Sequence, residues 1–339
     1  MAIAMIMSRD RLEQEQAMLH RLVVGLLDDG DQVLRVVPKT ETDEFSHDEH
    51  TVSFSKRIEV PMPISKLLRK GRRENTAEVF KKNDVTTIVS YGRDATQLAL
   101  DVSNELEVQV MVEVASMKEA TKIRKKTPVW RWLAASPSIE QVVANRVGED
   151  RVALVPLGIT NHQSKQTKPE NANQCVVILD AVGDIKNTRE ILTSLQKYPN
   201  IHIFIEMIGN KARSLWKQIG QLEMHNRVTC LRDVSALRTL IVQSDLVILP
   251  SKTMPIRTVL LEAMLCEIPV LATNIPGFDM LVDEESALIV KDSWESSIAL
   301  LLEDSTFANR IGANGSALVQ QKYGSAAQIA AFEAAFTLI

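Results

Sequence analysis

QSDLVILPSKTMPIRTVLLEAMLCEIPVLATNIPG, residues 243–277, is the stretch on which the reading of the fold turns. Leu246–Leu249 is a short apolar run of strand length, and it ends in the turn residues Pro250 and Ser251. Val259, Leu260, Leu261, Glu262, Ala263 and Met264 then read as a helix that carries one carboxylate among apolar neighbours. A second apolar strand follows at 268–272, so the stretch is a βαβ unit and implies a parallel sheet. The loop leaving the first strand delivers the chain to a helix N-terminus. Unpaired N–H groups and the positive end of the helix dipole suit that position to a phosphate or another anion. Open α/β sheets bind their ligands at such strand ends.

The alternation continues outward from this unit in both directions. Upstream, strands at 175–179, 201–206 and 227–231 alternate with helices at 188–197, 212–222 and 234–242. Downstream lie a strand at 287–290 and helices at 293–303, 306–323 and 326–338. The N-terminal half shows the same rhythm. Ala2–Met7 reads as a strand, and Leu12, Met18, Leu19, Leu22, Val23, Leu26 and Leu27 form an apolar helical stripe that stops at Asp28-Asp29-Gly30. Strands follow at 32–37, 84–90, 108–114 and 130–136, with helices at 96–106 and 138–147. Residues 39–58 are polar and aperiodic and read as a surface loop. The expected organisation is an N-terminal Rossmann-like domain at 1–156 and a C-terminal one at 157–322, with a helix at 323–339 returning to the first. The polar run 160–174, broken by Pro169, lies at the junction.

Composition narrows the function classes. The 339 residues suffice for two domains with proper cores, and 45% hydrophobic with 24% charged residues is ordinary for a globular protein. A net charge of −4 speaks against nucleic acid as a partner. Cys175, Cys230 and Cys266 lack metal or redox spacing and read as buried reduced thiols of a cytoplasmic protein. The opening MAIAMIMSRDRLEQEQ has no basic segment before its apolar run, so a first strand explains it better than a signal peptide. Glycine is scarce, 13 residues in all, or about 4% against a usual 7% or so. Few positions therefore let backbone approach a phosphate without a Cβ in the way.

Three polar clusters carry alternative readings. His47-Asp48-Glu49-His50 sits in the aperiodic loop with no scaffold to pre-set metal ligands, and Asp29-x-Asp31 falls at a helix-to-strand turn; neither reads as a metal site. The segment 64–82 interleaves Lys66, Arg69, Lys70, Arg72, Arg73, Lys81 and Lys82 with apolar residues. That pattern fits peripheral contact with anionic lipid, or an exposed helix with a basic face, and Gly71 weakens the continuous helix.

Pro250, Ser251, Leu261, Glu262, Ala263, Met264, Pro269, Val270, Ala272, Thr273 and Gly277 occur in the order and spacing of a known pattern. They resemble the C-terminal half of a GT-B glycosyltransferase of the large retaining group-1, or GT4-type, family. The resemblance implies two Rossmann-like parallel-sheet domains facing a cleft and metal-independent transfer from a UDP- or GDP-linked sugar to a saccharide, lipid or protein acceptor. No cofactor is implied beyond that nucleotide-diphosphate sugar. It implies further that Glu262 bonds the ribose hydroxyls, that Lys186 meets the diphosphate, and that Ser251, Lys252, Arg257 and Gly277 line the donor site. On residues alone, Glu262 could be a solvent-facing helix carboxylate, but its apolar neighbours favour a ligand role. Lys252 and Arg257 flank a helix start, where cations are unfavourable unless an anion lies between them.

The sequence departs from the family pattern at several polar positions. Ala181 stands at the diphosphate-binding arginine, Met254 at the first glutamate, Met280 at a later carboxylate, and Glu113 or a neighbour at a sugar-facing histidine. The loop after the first strand reads Ser8-Arg9-Asp10-Arg11 where the family has glycines, and its arginines read either as anion contacts or as a solvated helix start. Two function classes follow: an active, divergent glycosyltransferase whose catalytic residues are not identifiable, or a homologue that has lost catalysis and serves as a binding or scaffold module.

Overall fold

A computed structural model describes residues 1–39, 55–62, 68–160 and 174–337, and for 234 and 235 the backbone alone. The tetrad His47-Asp48-Glu49-His50, the start of the basic segment and the polar run 161–173 lie outside the described residues. The chain divides into two compact units, Met1–Gly158 with Ser325–Ile339, and Ile159–Gly324.

Unit 1 is built on seven parallel strands: β1 (Ala2–Met7), β2 (Gln32–Pro38), β3 (Lys56–Val60), β4 (Thr87–Tyr91), β5 (Gln109–Val114), β6 (Arg131–Ala134) and β7 (Val152–Leu154). Their order across the sheet is β3-β2-β1-β4-β5-β6-β7. Among the described residues five α-helices accompany them: α1 (Arg9–Asp28), α2 (Arg69–Lys82), α3 (Arg93–Leu106), α4 (Met117–Ala120) and α5 (Pro137–Val147). Strand order reverses between β1 and β4, which makes their carboxyl ends the switch point of the sheet. Residues 3–7 of β1 are fully buried, as a central strand covered on both faces requires. The stripe of α1 covers one face with Leu12, Met18, Leu19, Leu22, Val23 and Leu26.

Unit 2 has six parallel strands: β8 (Cys175–Ile178), β9 (His202–Glu206), β10 (Val228–Leu231), β11 (Leu246–Leu249), β12 (Val270–Ala272) and β13 (Leu288–Ile289). Their order is β10-β9-β8-β11-β12-β13, with the switch between β8 and β11. The helices are α6 (Ile185–Leu195), α7 (Ala212–Gln221), α8 (Val234–Ile241), α9 (Thr258–Leu265), α10 (Trp294–Glu303) and α11 (Ser305–Lys322). Every residue of α9 is buried, which explains why its sequence is apolar all round. The last helix, α12 (Ser325–Thr337), belongs to unit 1 and packs on α1 and β7. Arg131 Nη1 donates to the Ala335 carbonyl at 2.7 Å, and a Cβ on Gly25 of α1 would meet Ile329 at 2.8 Å.

Two expectations need correction. Residues 39–58 are not all loop, because Lys56–Val60 forms the edge strand β3. Its sequence KRIEV carries charge at three of five positions, which protects a sheet edge from further pairing and hides the strand from a search for apolar alternation. Cys230 is half-buried, unlike the buried Cys175 and Cys266, and all three are free thiols.

Four cations of the basic helix α2 pair with carboxylates, two on α2 itself and two on α3. Lys82 pairs with Glu78 at 2.7 Å, Arg73 with Glu105 at 2.7 Å, Arg72 with Asp101 at 3.5 Å and Lys70 with Glu74 at 3.8 Å. Among the described residues no helix is long and apolar enough to cross a membrane.

Candidate functional site

The switch point of unit 2 brings together the predicted loops. β8 pairs in register with β11, and the Leu179 N–H extends the ladder to the Ile248 carbonyl at 3.0 Å. Past β8 the chain turns tightly at Asp180, whose φ is +48°, and Gly183 N donates back to the Asp180 carbonyl at 2.9 Å. Asp184 caps α6 by accepting the Asn187 N–H at 3.0 Å. Asn187 Nδ2 then donates to the Pro250 carbonyl at 2.9 Å and so ties this turn to the loop leaving β11. The approach is close enough to require glycine: a Cβ on Gly183 would lie 2.3 Å from Asp180 Oδ2 and 2.6 Å from Ser251 Oγ.

The six predicted ligand residues occupy different environments within this region. Ser251 is buried against Gly183, and its hydroxyl accepts the Thr253 N–H at 3.4 Å. Gly277, with φ +90°, follows β12. Lys252 is exposed. Lys186, the second residue of α6, has a side chain 87% exposed and lies 4.0 Å from Glu190. Arg257 is the N-cap residue of α9, offers no side-chain cap to the helix and is only 3% exposed. Its Nη1 donates to both oxygens of Glu206, at 2.7 and 2.8 Å. The anion that relieves a cation at this helix start is thus a carboxylate of the protein, supplied by the last residue of β9. Glu206 Oε2 also accepts the Asp180 N–H at 2.8 Å.

Glu262 lies on α9 and is 8% exposed. It does not face solvent; it accepts from Arg238 Nη1 of α8, and Arg238 Nη2 donates to Thr258 Oγ1 at 2.7 Å. Sequence reading missed both Glu206 and Arg238. Their helical and strand spacings are ordinary, and only the fold brings them within reach of α9.

Three of the positions that depart from the family pattern lie in the apolar interior. Ala181 and Met280 are fully buried and Met254 is 3% exposed. Ala181 packs with the main apolar cluster of the unit, beside Val182, Ile191 and Ile205.

Unit 1 holds its own buried charge cluster at the corresponding end of its sheet. The turn after β1 is set by the Ser8 N–H donating to the Tyr91 carbonyl at 2.9 Å. Gly92, φ +87°, starts α3 so near that a Cβ would come within 2.1 Å of Ser8 Oγ. Arg11 is buried, not solvated. Its Nε donates to Glu113 Oε2 at 2.9 Å, Nη2 to Oε1 at 2.5 Å, and Nη1 lies 3.5 Å from Glu15. Burial by itself would lower the Arg11 pKa, but the attraction of Glu113 and Glu15 holds it above its ordinary value. Burial pushes the Glu113 carboxyl up against the pull of Arg11, and the carboxylates Glu119 and Glu15 add to that push. Burial, with Glu113 nearby, likewise raises the Tyr91 phenol. Glu113, expected at or beside the place of the family's sugar-facing histidine, is therefore held in an internal ion pair.

Among the described residues no group of three or more His, Cys, Asp or Glu side chains stands ready to hold a metal ion. Asp29, half of the Asp-x-Asp pair, ends α1 with its N–H donating to the Gly25 and Leu27 carbonyls.

Comparisons with known proteins place this geometry. Residues 159–317 match the family model described as Glycosyl transferases group 1. Comparison with the curated proteins finds no match. Among solved structures, Anabaena HepE in complex with UDP-glucose superposes with a TM-score of 0.79 at 14% identity, covering 100% of both chains. Sucrose-phosphate synthase from Thermosynechococcus elongatus gives 0.76 at 17% identity, covering 99% of this chain and 98% of that one. S. aureus TarM, in complex with Fondaparinux, alpha-GlcNAc-glycerol and UDP, gives 0.76 at 10% identity, covering 99% of each. At these identities the likeness establishes the GT-B fold, two Rossmann-like parallel-sheet units.

Proposed function

We propose that the chain is a glycosyltransferase-like protein that binds a nucleotide-diphosphate sugar at the β8/β11 switch point of unit 2. The transfer it would carry out retains the anomeric configuration, needs no metal, and uses a UDP- or GDP-linked donor with a saccharide, lipid or protein acceptor. The observation that carries this reading is the coincidence of three features in one place. The sheet reverses between β8 and β11, the loops after both strands converge on Gly183 and Ser251, and the family match spans the same unit. HepE, similar in fold, is described with UDP-glucose bound.

In the proposed site Glu262 meets the ribose hydroxyls, Ser251 and Gly277 bring backbone and hydroxyl close to the phosphates, and Lys186 and Lys252 supply the positive charge. Bond cleavage leaves a diphosphate, so cations near it lower the barrier in proportion to the charge it gains. Arg257 contributes less than a free guanidinium, because Glu206 already balances it.

A second reading, a binding or scaffold module without catalysis, is favoured by the two internal ion pairs Arg257–Glu206 and Arg238–Glu262 and by the burial of Ala181, Met254 and Met280. The experiment that separates the readings has two stages. UDP or GDP should raise the melting temperature of the protein, and Glu262→Ala should remove that rise as measured against the variant's own unliganded Tm. Slow hydrolysis of a nucleotide sugar, lost in Lys186→Ala, then marks an enzyme. Binding without hydrolysis marks a module, and absence of any nucleotide-dependent shift removes the donor-binding proposal altogether.

A further inference from the structure

Three groups at the carboxyl ends of neighbouring strands form an anion cradle in unit 2. The Asp180 N–H comes from the turn after β8, the Arg257 guanidinium from the loop after β11, and between them lies the carboxylate of Glu206 at the end of β9. Asp180 reaches this position with a φ of +48°, a conformation an aspartate adopts sparingly, and its N–H meets Glu206 Oε2 at 2.8 Å. The cradle is buried, with Glu206 4% and Arg257 3% exposed. Arg257 also spends little of its capacity there. Nη1 alone serves Glu206, and among the described residues the buried Nε and Nη2 have no hydrogen-bond partner. Those two nitrogens make the edge of a guanidinium that grips carboxylate or phosphate with two parallel bonds.

We propose that Glu206 is a built-in counter-anion. It fills the cradle at the β8/β11 switch point, so that the cradle does not take up a free phosphoanion. Arg257 then adds no net positive charge there, and the phosphates of a ligand are left to Lys186 and Lys252. This deepens the donor-binding reading and rests on it for the identity of the ligand. The cradle itself can be tested without any nucleotide.

The test uses inorganic pyrophosphate and the full chain. Glu206→Gln keeps the shape and an oxygen for the Asp180 N–H while removing the charge, which leaves Arg257 with an open need for an anion. In pyrophosphate-free buffer the variant should melt lower than the parent. At a hundredfold excess over its Kd, pyrophosphate should raise the variant's Tm by about 5 °C or more and the parent's by a small fraction of that. The double variant Glu206→Met with Arg257→Met removes both charges and should show no pyrophosphate response. If Glu206→Gln folds only when pyrophosphate is present, the proposal stands. It is overturned if the parent responds as strongly as the variant, if the variant gains nothing from pyrophosphate, if the double variant still responds, or if Glu206→Gln fails to fold in either buffer. A parent that binds UDP while ignoring pyrophosphate supports both this proposal and the donor reading. A parent that ignores both, beside a responsive variant, removes only the donor reading.

Discussion

Each unit buries one arginine against a glutamate at the carboxyl ends of its strands, yet the two pairs use their hydrogen-bonding capacity differently. Arg11 grips Glu113 with Nε and Nη2, one nitrogen to each oxygen, and turns Nη1 toward Glu15. Arg257 gives a single nitrogen to both oxygens of Glu206 and keeps two nitrogens unspent among the described residues. The first arrangement is a closed ion pair with carboxylate in surplus; the second has donors in surplus. The comparison teaches that a buried Arg–Glu pair at a strand end is not one device. Its stoichiometry decides how many donors stay uncommitted once the carboxylate is seated.

The strongest test of that contrast removes the cations. Arg11→Met leaves Glu113 and Glu15 buried without their cation, and urea denaturation should show a loss of about 3–5 kcal/mol. Arg257→Met strands only Glu206, which keeps the Asp180 N–H, so the loss should be smaller, on the order of 2 kcal/mol. An equal or reversed order would mean that the two pairs do not differ as their hydrogen bonds indicate. Glu206→Met combined with Arg257→Met takes both charges away and should fall within about 1 kcal/mol of the parent.

A smaller effect follows from pH. The folded-state pKa of Glu113 is raised by burial, so its contribution to stability is fully present below the pKa of the unfolded carboxyl and fades as pH rises through the folded value. Urea midpoints should drop gently over that window, and Glu113→Gln should flatten the drop; a parent that instead gains stability there would contradict the surplus of carboxylate around Arg11. Least affected should be Lys186→Ala, since the side chain is 87% exposed. Its stability should stay within about 0.5 kcal/mol of the parent, which makes it a clean probe of activity.

Sequence reading reached the elements whose evidence is local. The apolar run Leu246–Leu249 is β11 to the residue, and the stripe from Leu12 to Leu26 is the buried face of α1. Edge strand β3 escaped because a charged edge has no apolar alternation to detect. The residues proposed for the donor site were legible as a motif, most of them around α9, but what each side chain touches was not. Arg11 finds Glu113 at a separation of 102 residues, and Arg257 finds Glu206 at 51. Such partners are chosen by strand order, which periodicity does not report. The same limit hid Arg238, whose place on α8 gains meaning only from the packing of α8 on α9.

The helix α12 closes unit 1 after unit 2 has been completed, so the second unit is an interruption within the first. In unit 1 the broken ends nearly touch, since a Cβ on Gly158 would lie 2.9 Å from Ser325 Cα. In unit 2 the first and last residues are paired as well, with Ile159 bridged to Gly324 and its N–H donating to the Tyr323 carbonyl at 2.8 Å. The two chain crossings therefore sit side by side within each unit, so a few linking residues span either break, which a simple tandem arrangement would not require of its termini.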